Sequence, residues 1–141
     1  GERLQPLDSF PALKGTFFLL VHPGFGISTP WAYQNLAHFP KALNGKRGRA
    51  KKLVSLLQKR DLAAASQEFY NSLEAPAFEK FPVLALYQEF FRANGAAATL
   101  MSGSGSTTFA IFRGRKAVES AAEKFKTRFG PNCWFSISAA S

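Results

Sequence analysis

The sequence is short of the residues from which metal centres and covalent catalysts are assembled. It holds one cysteine, Cys133, one methionine, Met101, two histidines, His22 and His38, and only two aspartates, Asp8 and Asp61. A single cysteine forms no internal disulfide, and within the apolar stretch Cys-Trp-Phe it reads as a buried, inert thiol of a reducing compartment. The histidines stand at no ligand spacing and there is no Cys pair, so they read as structural or surface residues and no metal site is expected. Acids are scarce as a class: nine Asp and Glu against 18 Lys and Arg leave a net charge of +9. That excess suits nucleic acid, anionic small molecules or plain solubility alike, and selects none of them. Long apolar runs are missing too, since Phe17 to Val21 is far too short to cross a bilayer.

What the chain does have is material for a core. Hydrophobic residues make up 46% of its 141 positions and 15 of them are Phe, which excludes a disordered chain and suits one compact domain without disulfide staples. No signal peptide opens the sequence. With Gly1 at its start and Met101 as its one methionine, the segment is expected to come from a longer product.

Gly1 to Lys14 reads as an irregular lead-in. Thr16 to Val21, bounded by Gly15 and Pro23-Gly24, reads as a strand buried on both faces. Thr29 is the expected N-cap of a helix from Pro30 to about Ala37, in which Trp31 and Tyr33 point in different directions, so that one packs while the other meets a ligand. Lys46 to Arg60 suits a helix with an apolar stripe and a solvated basic face, and Asp61 caps a further helix from Leu62 to about Tyr70. A helical segment from about Ala77 to Ala93 follows, with Phe78, Phe81, Leu84 or Ala85, Tyr87 or Gln88, and Phe91 at core spacing and Pro82 either kinking it or marking its start. Ala96 to Met101 and Thr107 to Phe112 read as strands. Arg115 to Phe129 is an amphipathic helix with Ala117, Val118, Ala121, Ala122 and Phe125 on one face, and Cys133 to Ile137 is a last strand. The order is the split β-α-β pattern of a ferredoxin-like α+β domain, a four-stranded antiparallel sheet with helices on one face and extra helices between strands 1 and 2.

The stretch with most chemical content is Ser102-Gly-Ser-Gly-Ser-Thr107, a tight turn between two apolar runs. Gly103 and Gly105 permit positive φ and a close ligand approach, and successive N–H groups in such a turn form an anion-holding nest. Hydroxyls at Ser102, Ser104, Ser106, Thr107 and Thr108 add donors suited to phosphate oxygens. On pattern alone, a flexible hairpin turn fits equally. Gly24-Phe25-Gly26 is a weaker signal, lacking the third glycine of a dinucleotide fingerprint and the lysine of a Walker loop. The helix start at Thr29, with aromatics beside it, suits a polar group whose attached ring stacks.

Met101 to Phe112 resembles the third conserved motif of the GHMP kinases. Gly1-Glu2-Arg3 with Pro6-Leu7, Val21-His22-Pro23-Gly24 leading to Ser28-Thr29-Pro30 and Tyr33, and Asn71-Ser72-Leu73-Glu74 are similar to the branch acting on 4-diphosphocytidyl-2-C-methyl-D-erythritol. The resemblance implies a two-domain enzyme of non-mevalonate isoprenoid biosynthesis that moves the γ-phosphate of ATP, with Mg2+, to the substrate's 2-hydroxyl. It implies that this segment is the ferredoxin-like, substrate-side domain. The ATP loop, catalytic Asp and Lys would lie on an N-terminal domain, its partner in the same protein. Ser102, Gly103, Ser104, Gly105, Ser106 and Thr107 would line the catalytic cleft, and Thr29, Pro30 and Tyr33 would bind the cytidine end of a cytidine diphosphate-linked substrate, Tyr33 stacking on cytosine. A cytoplasmic protein is implied, or a plastid one if the source is a plant or alga. Trp31 departs from the small or aliphatic residue the family carries after Thr-Pro.

Three other readings compete with this one. A GHMP kinase for another small alcohol shares the Ser-Gly motif, and a non-catalytic ligand-binding or regulatory domain shares the fold. An RNA-recognition module shares the topology, but its aromatics stand an even number apart on a strand, whereas Phe109 and Phe112 are three apart and face opposite ways.

Overall fold

A computed structural model describes residues 10–42, 48–130 and 132–140. The lead-in motif Gly1-Glu2-Arg3 with Pro6-Leu7, the aspartate Asp8, and the expected helix start at Lys46 and Arg47 lie outside the described residues.

Four strands, β1 (Phe17–His22), β2 (Ala98–Met101), β3 (Thr108–Phe112) and β4 (Trp134–Ala139), form one sheet in the order β2-β3-β1-β4. Every neighbouring pair is antiparallel, with Leu19 opposite both Ala110 and Ile137. This is the ferredoxin-like order that the element sequence predicts. Side chains alternate across the pleat, so Leu19, Val21, Ala110 and Phe112 face one layer while Phe18, Phe109 and Ile111 face the other.

The first layer holds α1 (Thr29–Leu36), α4 (Glu74–Lys80), α5 (Val83–Ala93) and α6 (Arg115–Phe129). Its densest part is aromatic: Phe91 stacks on Phe125 at 5.4 Å between centroids, and Tyr87 meets Phe125 edge-on at 5.0 Å. Both phenylalanines are fully buried, as the helical spacing anticipates. The opposite face is not left open. A 3-10 turn at Pro11–Leu13, α2 (Arg49–Gln58) and α3 (Leu62–Ser66) cover it with Leu13, Leu57, Leu62 and Ala65. The crossover helices thus share one face as expected, whereas two of the extra helices add a layer on the other. That placement explains the unbroken apolar run of β1, a strand covered on both sides, with Leu19 and Val21 buried on one face and Phe18 and Leu20 half-buried on the other. It also places Phe109 and Phe112 in different layers.

Local departures from expectation have local causes. Ser28, not Thr29, caps α1: its backbone is extended and its Oγ accepts the Trp31 N–H at 3.3 Å. Asp61 caps α3 as predicted, accepting the Ala64 N–H at 2.9 Å, but α3 ends at Ser66, whose hydroxyl bonds back to the Ala63 carbonyl at 2.7 Å. Pro82 divides the expected helix into α4 and α5 and serves as the cap residue of the second. Ala117 on α6 is exposed, because the buried stripe of Val118, Ala121, Ala122 and Phe125 is narrower than the apolar pattern. Cys133 is only half-buried, its Sγ lying 3.4 Å from the Tyr87 hydroxyl.

Candidate functional site

The Ser-Gly segment bridges β2 and β3 as a six-residue hairpin loop. Two backbone bonds shape it, Ser102 N–H to Thr107 O at 2.8 Å and Gly105 N–H to Ser102 O at 3.0 Å. Both glycines adopt the left-handed backbone, Gly103 at φ 58° and Gly105 at φ 91°. The peptide between Gly105 and Ser106 is cis. The N–H groups of Gly103 and Ser104 donate to no acceptor among the described residues, which leaves two adjacent donors for an anion.

Ser106 plays a different part from its neighbours. It is buried, and its hydroxyl donates to the Phe25 carbonyl, tying the loop to the Gly24-Phe25-Gly26 turn. That turn therefore supports the Ser-Gly loop. Thr108, read from sequence as a further donor, is fully buried on the core face of β3 with its hydroxyl unpaired, so it does not face the loop's open side.

The start of α1 reaches the same loop. Thr29, freed from capping, shares a hydrogen bond between its Oγ1 and Ser104 Oγ at 3.0 Å, across 75 residues of sequence. One turn on, Tyr33 is 60% exposed, whereas Trp31 packs against the core with the Lys80 ammonium 4.6 Å above its ring. Of the two aromatics that point apart, Trp31 is the packing residue and Tyr33 is the one available to a ligand.

These pieces converge on one open cleft of about 400 Å³, lined among others by Tyr33, Tyr70, Asn71, Ser102 and Gly103. The structure brings Tyr33 and the first residues of the Ser-Gly loop to one wall-and-floor arrangement, with Thr29 and Ser104 linked beside it. Among the described residues no carboxylate, lysine or histidine lines this cleft. Its free donors are hydroxyls and backbone N–H groups, a set that fits anionic oxygen and does not fit a divalent cation. Groups of three or more His, Cys, Asp or Glu at metal-binding distance are absent among the described residues.

Three residues to which sequence reasoning assigned no role shape the site. Asn71 donates from Nδ2 to the Met101 carbonyl at 2.8 Å and the Gly103 carbonyl at 2.7 Å, while its Oδ1 accepts the Leu73 N–H at 3.0 Å. Glu74 accepts the Met101 N–H at 2.9 Å. Tyr70 adds a second exposed aromatic, fixed by the Arg49 guanidinium 4.5 Å from its ring centroid and by its hydroxyl's bond to the Ala42 carbonyl at 2.5 Å. The Asn-Ser-Leu-Glu motif was visible in the sequence, but its contacts lie about 30 residues away and leave no local trace.

A 4-diphosphocytidyl-2-C-methyl-D-erythritol kinase of Syntrophotalea carbinolica is 33% identical over 135 residues, spanning 92% of this chain and 42% of the relative. The enzyme of the same name from Rhizobium johnstonii is 37% identical over 123 residues, spanning 86% of this chain and 37% of the relative. The chain thus spans less than half the length of the curated relatives it matches. Among solved structures, a 4-(cytidine 5'-diphospho)-2C-methyl-D-erythritol kinase superposes with a TM-score of 0.66 at 29% identity, over 86% of this chain and 42% of that one. A homoserine kinase from Cytophaga hutchinsonii superposes at 0.71 with 20% identity, over 92% of this chain and 42% of that one, a likeness of fold alone. The family model for the C-terminal domain of GHMP kinases matches residues 53–132, which takes in the Asn71–Glu74 brace, β2, β3 and the Ser-Gly loop between them. With loop, brace and sheet order all inside that match, the chain belongs to the GHMP kinase family as its C-terminal domain.

Proposed function

We propose that this chain is the substrate-side domain of an ATP-dependent kinase that phosphorylates the 2-hydroxyl of 4-diphosphocytidyl-2-C-methyl-D-erythritol in non-mevalonate isoprenoid biosynthesis. The observation that carries the reading is the meeting of Tyr33 and the Ser-Gly loop at one cleft, with Thr29 bonded to Ser104. A substrate joining a nucleobase to a phosphorylated polyol needs those two features side by side: a ring face for the base and N–H and hydroxyl donors for the phosphates.

In this reading Tyr33 stacks on cytosine, and Pro30 and the Thr29 hydroxyl border the cytidine end. The N–H groups of Gly103 and Ser104, with the Ser102, Ser104 and Thr107 hydroxyls, hold phosphate oxygens. Phosphoryl transfer is positioning plus charge stabilisation, so a rigid donor loop is a fitting contribution from one half of a cleft. Among the described residues the cleft's lining offers no base for the attacking hydroxyl. That base, and the loop and lysine that grip ATP, are assigned to an N-terminal domain of the same protein, in keeping with relatives more than twice as long. The residues that would hold Mg2+, whose chemistry would be to neutralise phosphate charge, are likewise assigned to that other domain. A cytoplasmic protein acting on a small molecule is the corresponding setting, and no described helix is long and apolar enough to cross a membrane.

A transfer assay tests this. The full-length protein containing this chain, given ATP, Mg2+ and the cytidine diphosphate-linked substrate, is expected to turn over, and the 141-residue chain alone is expected not to. Turnover by the isolated chain, or transfer by the full-length protein only to an alcohol without a base, would refute the reading.

A further inference from the structure

The Ser-Gly loop has little within itself to fix its position. Two of its residues are left-handed glycines and two backbone bonds close it, so its placement relative to the cleft must be set from outside. On the cleft side Asn71 grips the Met101 and Gly103 carbonyls. Behind the sheet edge a second set of contacts has a different origin. Glu74 Oε2 accepts both the Met101 N–H at 2.9 Å and the Gln88 Nε2–H at 2.6 Å, and Gln88 Oε1 accepts from Arg92 Nη2 at 3.0 Å.

Gln88 is only 2% exposed, on a face of α5 otherwise made of Leu84, Tyr87 and Phe91. A buried carboxamide in such a place is costly unless its hydrogen bonds are made, and here both of its ends are engaged. Its partners form a chain from a surface guanidinium to the backbone at the loop's base, beside a polar cavity of about 290 Å³ against β2. Met101 itself is 1% exposed, so without Glu74 its N–H would be a buried, unpaired donor at the point where strand becomes loop.

We propose that Glu74 and Gln88 are positioning residues, a relay that holds the Ser-Gly loop at catalytic depth from behind, with Arg92 orienting the Gln88 amide. The kinetic part of this inference rests on the proposed kinase reading; the structural part does not.

Two measurements separate those parts. In the chain itself, Glu74→Ala and Gln88→Leu should speed amide hydrogen exchange at Met101 by roughly tenfold, the scale of a lost charge-assisted bond. Glu74→Gln should stay near wild type, because a carboxamide oxygen still accepts both N–H groups. Glu89→Gln, on the exposed side of the same helix, should change nothing. In the full-length enzyme, well below the unfolding temperature, Glu74→Ala and Gln88→Leu should lower kcat/KM for the acceptor by about tenfold while KM for ATP holds, with Glu74→Gln restoring activity. Faster exchange in a protein without kinase activity would refute the kinase reading and leave the relay standing. Unchanged exchange at Met101 in Glu74→Ala or Gln88→Leu, or equal losses in Glu74→Gln and Glu74→Ala, would overturn the relay. Should Glu74→Ala not fold, Gln88→Leu and Glu74→Gln still distinguish these outcomes.

Discussion

Replacing each loop glycine with alanine offers a controlled test of how the Ser-Gly hairpin is held. Both positions have positive φ, so Gly103→Ala and Gly105→Ala each incur about 1–2 kcal/mol for a left-handed L-residue. Each also regains about 0.4–1 kcal/mol by stiffening the unfolded chain. The unfolded-chain terms cancel in the comparison, and the backbone term is larger at Gly105, whose φ of 91° lies beyond the left-handed α region that Gly103 occupies at 58°. Space differs too: a Cβ at Gly103 meets nothing within 4 Å, whereas one at Gly105 falls 2.7 Å from Met101 Sδ and 2.9 Å from Ile27 Cδ1. Overpacking of this kind costs about 1–3 kcal/mol, less where side-chain ends can swing aside. Gly105→Ala should therefore unfold below Gly103→Ala by about 1–3 kcal/mol in urea, which corresponds to roughly 3–10 °C in Tm for a domain of this size. Equal stabilities would refute the idea that Met101 and Ile27 pack the loop from below.

Two further outcomes follow from the aromatic layer. Burial, then the neighbouring Cys133 thiol, holds the Tyr87 hydroxyl well above the ordinary phenol range, so the folded state keeps a proton that the unfolded chain releases. The Tyr87 contribution to stability should be constant below about pH 10 and be lost as pH rises beyond it, and Tyr87→Phe should soften the alkaline fall in thermal melts between pH 9 and 11; an identical alkaline slope would contradict the assignment. Phe91→Ala, at a fully buried site stacked on Phe125, should cost about 3–5 kcal/mol by urea unfolding, and a loss under 1 kcal/mol would mean the layer is not packed as described.

Much of the fold is legible in the residues because its signals are local. The stripe of Val118, Ala121, Ala122 and Phe125 gives α6 its observed span, Arg115–Phe129, and Pro82 marks the start of α5. The apolar run of β1 signals cover on both faces, yet nothing local says that α2 and α3 supply the second cover. The site divides in the same way. The glycines and hydroxyls of the loop announce themselves; Trp31 and Tyr33 stand out together after a helix start, and the resemblance to the kinase family, not their position, selects Tyr33. The residues that hold them are harder to find: Asn71 acts across 30 and 32 residues and Glu74 across 27, and Thr29 is read as a cap when its hydroxyl instead crosses to Ser104. Contacts of that range have no periodicity to betray them, and only the fold brings their partners together.

The central claim is that Tyr33 and the Ser-Gly loop form the base and phosphate ends of one substrate cleft. Its most direct test is Tyr33→Ala in the full-length protein, with transfer from ATP followed for the cytidine diphosphate-linked acceptor. Loss of base–aromatic stacking worth about 1–3 kcal/mol should raise KM for that acceptor roughly 5- to 150-fold with kcat little changed. An unchanged KM for the acceptor would contradict the account.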